Sequence, residues 1–156
     1  MNKEHHYSLN LTWTGNTGTG TSTYRSYERN HVISGDNKSV ILGSSDKAFR
    51  GDASMYCPEE LFVASISSCH MLWFLHLCAD HGVVVREYSD SPEGIMIETS
   101  GGGGRFHEVI LKPSVTVIDD SMISNLDKLH KKAHELCFIA NSVNFTITIK
   151  PSVNSV

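Results

Sequence analysis

Pro58-Glu59-Glu60-Leu61-Phe62-Val63-Ala64-Ser65-Ile66-Ser67-Ser68-Cys69-His70 is the stretch on which the fold turns. Proline suits the first helical turn because it has no N–H to leave unsatisfied, and Glu59 and Glu60 stand where the helix dipole favours negative charge. Apolar residues continue through Leu72, Trp73, Phe74, Leu75 and Leu77, and Gly82 supplies the stop. They cover nearly the whole circumference, so this helix belongs at the centre of a fold. One sheet face cannot cover it, and a homodimer is the simplest source of the missing cover.

Working outward, the flanks read as strands. Tyr7, Leu9, Leu11 and Trp13 alternate with polar residues at the two-residue period of a half-buried strand. Gly15–Gly20 reads as a hairpin turn, with Thr21–Tyr27 returning beside the first strand and a short strand near Val40–Leu42. Beyond the helix, Ile95–Glu98 and Phe106–Ile118 are expected as strands joined across Gly101-Gly102-Gly103-Gly104. A second helix is expected over Asp120–Cys137, with Leu126, Leu129, Ala133, Leu136 and Cys137 on one stripe, before a last strand through Phe145, Ile147 and Ile149. Strands flanking two helices without a crossover rhythm predict an α+β class: antiparallel sheets around a central apolar helix, in one domain over residues 1–156.

Composition narrows the function. Thirteen basic against seventeen acidic residues give −4, with neither sign gathered in a block, which argues against a nucleic-acid partner. No stretch reaches the roughly 18–20 apolar residues of a membrane span, so no membrane partner is expected. Met1–Tyr7 lacks the apolar core of a signal peptide, and the expected location is cytoplasmic, where thiols are kept reduced. The four cysteines, Cys57, Cys69, Cys78 and Cys137, are therefore not a disulfide framework, and without a Cys-x-x-Cys they make no zinc pattern.

Cys69 lies mid-helix on a stripe with Phe62, Ser65, Ile66, Leu72 and Trp73, whereas Cys78 falls about 180° round the helix. Cys137 ends the second helix, where a thiol can move toward a partner. An attacking thiol must be a thiolate, and apolar burial alone would silence it. Some cation must offset that burial: Arg50, just ahead of the helix, is the first choice, with Arg25 and Arg29 as alternatives. Glu59 can hold the guanidinium in a two-pronged pair, or can simply be a first-turn glutamate stabilised by the dipole.

The Pro58–Cys69 motif, followed by Ala133-His134-Glu135-Leu136-Cys137-Phe138-Ile139-Ala140-Asn141-Ser142, resembles the OsmC/Ohr family of organic hydroperoxide reductases. Trp13-x-Gly15, Phe49-Arg50-Gly51 and the last strand fit too, so the likeness covers practically the whole chain. It implies an intertwined homodimer with active sites at the interface, and no cofactor or metal. Cys69 would be the peroxidatic cysteine, Cys137 the resolving one, and Glu59 the partner of the catalytic arginine. An organic hydroperoxide would be the substrate and a dithiol, such as a lipoylated protein, the reductant, with Phe62, Ile66 and Trp73 lining the pocket. The chain departs from the family pattern in having Ala48 where relatives carry arginine, with Arg50 two residues on, and in Cys57 before the proline.

Two other functions compete. A catalytically inactive relative would bind a hydrophobic ligand or partner and keep its cysteines for packing. A zinc-binding protein would use His130, His134 and Cys137, which share a helical face at i, i+4 and i+7, with His70 beside Cys69.

Overall fold

The computed structural model describes residues 3–155, which fall in two compact units divided between Leu61 and Phe62. The first unit carries an antiparallel sheet of β1 (Asn10–Trp13), β2 (His31–Ser34) and β3 (Ile41–Gly43), with Trp13 opposite His31. The partner of β1 is thus β2, not the expected Thr21–Tyr27. That Ser/Thr/Gly-rich segment satisfies its backbone locally instead. Asn16 Oδ1 accepts from the Gly18 and Gly20 amides (2.9 and 3.1 Å), and Ser26 Oγ accepts from the Thr23 amide (3.0 Å). Short polar side chains compete with a sheet ladder in this way, and here they win. The strand itself starts three residues later than the Tyr7 alternation suggests, and its side chains are exposed.

Buried Ser44 leads the chain toward the long helix: its hydroxyl donates to Asn30 Oδ1 and accepts from the Asp52 amide, both at 3.0 Å. Helix α1 (Pro58–Asp80) begins in the first unit and has most of its length in the second. Glu60 Oε2 reaches back to the Cys57 amide at 2.9 Å, the return half of a capping box. At the other end Gly82, at φ +70°, lets the Val83 amide bond Cys78 O at 2.9 Å, closing the helix as expected.

The second unit also holds β4 (Val85–Asp90), β5 (Glu93–Glu98), β6 (Gly104–Leu111), β7 (Pro113–Val117), α2 (Leu126–Leu136), β8 (Thr146–Ile149) and β9 (Ser152–Ser155). They form two mixed sheets, ordered β4-β7-β9 and β5-β6-β8. The β4–β7 and β5–β6 pairs are antiparallel, but β6–β8 and β7–β9 are parallel, which corrects the expectation of purely antiparallel sheets. The reason is topological: α2 carries the chain back between the two strand pairs, and such a crossover returns a strand parallel to the one it left.

The expected strand Phe106–Ile118 is broken in two by a bend at Lys112, and the expected last strand, β8, is followed beyond Lys150-Pro151 by a further strand, β9, so each long segment serves both sheets. Asp90 holds the first bend, accepting the Lys112 amide on Oδ1 (2.7 Å) and the Ser67 hydroxyl of α1 on Oδ2 (2.6 Å). The tetraglycine serves as the expected β5–β6 connection, with Gly102 at φ +80°. Strand β4 was not foreseen, because its inward residues, Val85 and Tyr88, are separated by charge.

The main core gathers Phe74, Leu77, Cys78, Val83, Val115, Val117, Leu126, Leu129 and Ala133, and a smaller one gathers Ile66, Val109 and Leu111 under Phe62, Phe106 and Phe145. The covered stripe of α1 is Ile66, His70, Phe74, Leu77 and Cys78. The helix is therefore covered on one side only, and Leu72 is 64% exposed. Helix α1 has 23 residues and an 18-residue stretch of mean hydropathy 1.6, so by length and composition it is apolar enough to cross a membrane, contrary to the sequence expectation; one stripe of it is buried in the protein's own core.

Two buried histidines, His70 and His130, meet in this core, Nε2 of the first 3.0 Å from Nδ1 of the second. Burial lowers both to a pKa of about 4; His134 lowers His70 further while Asp90 opposes it, and His70 lowers His130 further. As pH falls through 6.5 the unfolded chain takes up protons that the folded chain refuses until about 4, so stability falls across that window. Urea unfolding should show a loss on the order of a few kcal/mol between pH 7 and pH 4.5. The double variant His70→Gln/His130→Asn, which cannot titrate, should show a flatter profile.

Candidate active site

One turn past the start of the second unit, Ser65, Ser68, Cys69, Leu72, Trp73 and His76 of α1 line a cavity of about 590 Å³, closed by Phe138 and Ile139 from the segment after α2. The helical spacing i, i+3, i+4, i+7 places those α1 residues on one face. The two serines turn their hydroxyls to carbonyls of the preceding turn, Ser65 to Phe62 O (2.7 Å) and Ser68 to Ser65 O (3.2 Å). What they present to the cavity is therefore mostly carbon. Trp73 meets Phe138 edge-on at 5.8 Å, and His76 at the rim pairs with Asp80 at 3.4 Å.

Cys137 stands where the sequence put it, at the C-terminal cap of α2, with ψ 113° turning the chain out of the helix. Its sulfur accepts the Ala140 amide at 3.4 Å, and the Asn141 amide donates to its carbonyl at 3.0 Å. The half-buried Cys69 thiol lies within hydrogen-bonding reach of Cys137, near the separation of a disulfide, and both are free thiols. Burial first, then the Cys69 contact, pushes the Cys137 thiol up to about 11, so at neutral pH it is protonated. Cys137 is 1% exposed, whereas Cys69 opens on the cavity.

Cys78 lies in the main core and not on the cavity, as the helical wheel predicts, and burial raises it to about 11. Cys57, before α1, is raised chiefly by burial, with the Glu59 carboxylate beside it. Glu59 Oε2 is buried and has no hydrogen-bond partner among the described residues, so its expected two-pronged pair with Arg50 is not formed here. Arg50 is exposed and left-handed at φ +66°, ending the short 3-10 turn Lys47–Phe49. Arg29 is engaged within its own unit: its guanidinium donates to Tyr24 O (2.7 Å) and Tyr27 O and stacks 4.3 Å over both tyrosine rings.

Of the expected lining, only Trp73 faces the cavity. Ile66 is buried in the smaller core, and Phe62 packs on Phe106 at 5.0 Å. Leu72 and His76 were legible from their spacing to Cys69; Phe138 and Ile139 were not, because their place depends on how the chain leaves α2. The zinc alternative fails on geometry: His130 bonds His70 instead, and among the described residues no three His, Cys, Asp or Glu side chains gather as a metal site.

Comparison with known proteins agrees with this geometry. The family described as OsmC-like protein matches residues 51–152. An OsmC-like protein of unknown function from Vibrio cholerae is 34% identical, with a TM-score of 0.85 over 96% of this chain and 100% of its own. Organic hydroperoxide resistance proteins from Elizabethkingia anophelis and Legionella pneumophila, both 21% identical, share the fold at TM-scores of 0.68 and 0.66. The first likeness covers 99% of this chain and 100% of that one, the second 98% and 100%. No curated protein matches in sequence. With the family match spanning most of the chain and two neighbouring cysteines suited to thiol redox chemistry, this protein belongs to the OsmC/Ohr family.

Proposed function

We propose that this chain reduces organic hydroperoxides to alcohols, with Cys69 as the attacking thiolate and Cys137 as the resolving thiol. The observation that carries the reading is the approach of the two sulfurs at the wall of an apolar cavity. The order of roles follows from their surroundings: Cys69 faces the cavity, and Cys137 is buried and protonated, unfit to attack first. The Cys69 thiolate attacks the distal peroxide oxygen, the O–O bond breaks, and the alkoxide leaves as the alcohol after taking a proton. The sulfenic acid then condenses with Cys137, forming the S–S bond and releasing water. A dithiol, such as a lipoylated protein, returns the disulfide to two thiols.

Arg50 supplies the positive charge that ionises Cys69 in this proposal, and Glu59 orients its guanidinium; the unpartnered buried oxygen of Glu59 favours such a partner. The exposed Leu72 and Phe138 support a homodimer, since large apolar side chains at the mouth of a site are natural interface material. The whole chain acts as one functional domain in the cytoplasm, where thiols are kept reduced.

Stopped-flow mixing with cumene hydroperoxide should give rapid sulfenic acid formation, lost in Cys69→Ser. Cys137→Ser should complete one oxidation and stall. Equal rates for wild type and Cys69→Ser would sink the proposal. Phe138→Asp should lower kcat/KM for cumene hydroperoxide about tenfold, the worth of a lost apolar wall, with far less effect on hydrogen peroxide. Arg50→Ala should slow sulfenic acid formation and leave disulfide formation from a preformed sulfenic acid unchanged.

A further inference from the structure

His70 follows Cys69 directly on α1, and His130 stands two helical turns before Cys137 on α2. Their rings are nearly coplanar, 7° apart, and joined by the 3.0 Å Nε2–Nδ1 contact, in which one ring donates and the other accepts. Phe74 stacks on His130 with ring centres 3.9 Å apart. Both histidines are buried, and the outer nitrogens, His70 Nδ1 and His130 Nε2, have no hydrogen-bond partner among the described residues. Two leucines would fill such a space without leaving polar atoms unmatched, each of which costs about 1–3 kcal/mol. What leucines cannot supply is direction, because an apolar contact tolerates a slid or rotated helix and a hydrogen bond does not.

We propose that His70 and His130 are positioning residues that pin α2 against α1 in the one register that presents the Cys137 sulfur to Cys69, and so set the rate of disulfide formation. The argument is one of leverage. Each residue of slip along α2 turns it by about 100° and shifts it by about 1.5 Å, enough to carry a capping sulfur away from its target. Misplacement of a reacting group by about 1 Å costs on the order of a hundredfold in rate. The pin sits beside the attacking cysteine, on the helix that ends in the resolving one, so it acts on their approach and not on the first encounter with peroxide.

This inference rests on the peroxidase reading, and the experiment separates the two. Sulfenic acid formation with cumene hydroperoxide is timed in the Cys137→Ser background, and disulfide formation is timed by rapid acid quench and mass measurement in otherwise wild-type protein. His130→Leu should slow disulfide formation tenfold or more and leave sulfenic acid formation within twofold. His130→Asn, whose amide sits where Nδ1 sat, should restore the second step to within threefold of wild type. Should His130→Leu not fold, His130→Gln serves, because its amide lies one atom too far out: Asn should be at least fivefold faster than Gln in the second step. Equal disulfide rates in wild type and His130→Leu, or in Asn and Gln, overturn the pin, as does an equal slowing of both steps. Absence of sulfenic acid in the Cys137→Ser background overturns the peroxidase reading itself.

Discussion

Everything in the larger unit depends on how one stripe of α1 meets α2. Ile66, His70, Phe74, Leu77 and Cys78 recur at helical spacing, and the α2 residues Leu126, Leu129, His130 and Ala133 are buried with them. Strand β7 completes that core through Val115 and Val117, with Val85 and Tyr88 of β4 packed against it. Because Cys137 is the first residue beyond α2, any constraint on that helix is a constraint on the sulfur at its end.

The site works by contrast between two like groups. Both are thiols close together, yet one faces a cavity and the other is enclosed by the turn that follows α2. Enclosure disfavours the charged form, which keeps Cys137 a thiol at neutral pH. A pair of equally ionised cysteines would compete for peroxide, and oxidation of both to sulfenic acids would leave neither to resolve the other. The apolar lining offers a carbon-rich molecule more area to bury than a small polar one.

Much of this was legible in the chain. Pro58, the glutamates and Gly82 delimit α1 by capping chemistry that acts within one turn, so a linear reading captures them. The Cys69 and Cys137 contexts could be placed on a helix and at a helix end for the same reason. What escaped was set by distant partners. The bends at Lys112 and Lys150-Pro151 come from strands serving two sheets, and the parallel pairs come from the crossover through α2. The Thr21–Tyr27 segment misled because its β propensity was outweighed by local side-chain hydrogen bonds. In the site, Phe62 and Ile66 share a stripe with Cys69 and the resemblance put them in the pocket, but neither can say which flank of a greasy helix a sheet will cover.

Asp90 carries a consequence for how the two cysteines are held. With one carboxylate oxygen on the Lys112 amide and the other on the Ser67 hydroxyl, it rivets the turn of α1 bearing Cys69 to the strand bend. Cys69 is thereby carried on a turn of helix that is tied directly to a strand bend. The segment leaving α2 is tied differently: its hydrogen bonds from Ala140, Asn141 and Ser142 return to Cys137, Glu135, Phe138 and Ile139, all within that segment or the last turn of α2.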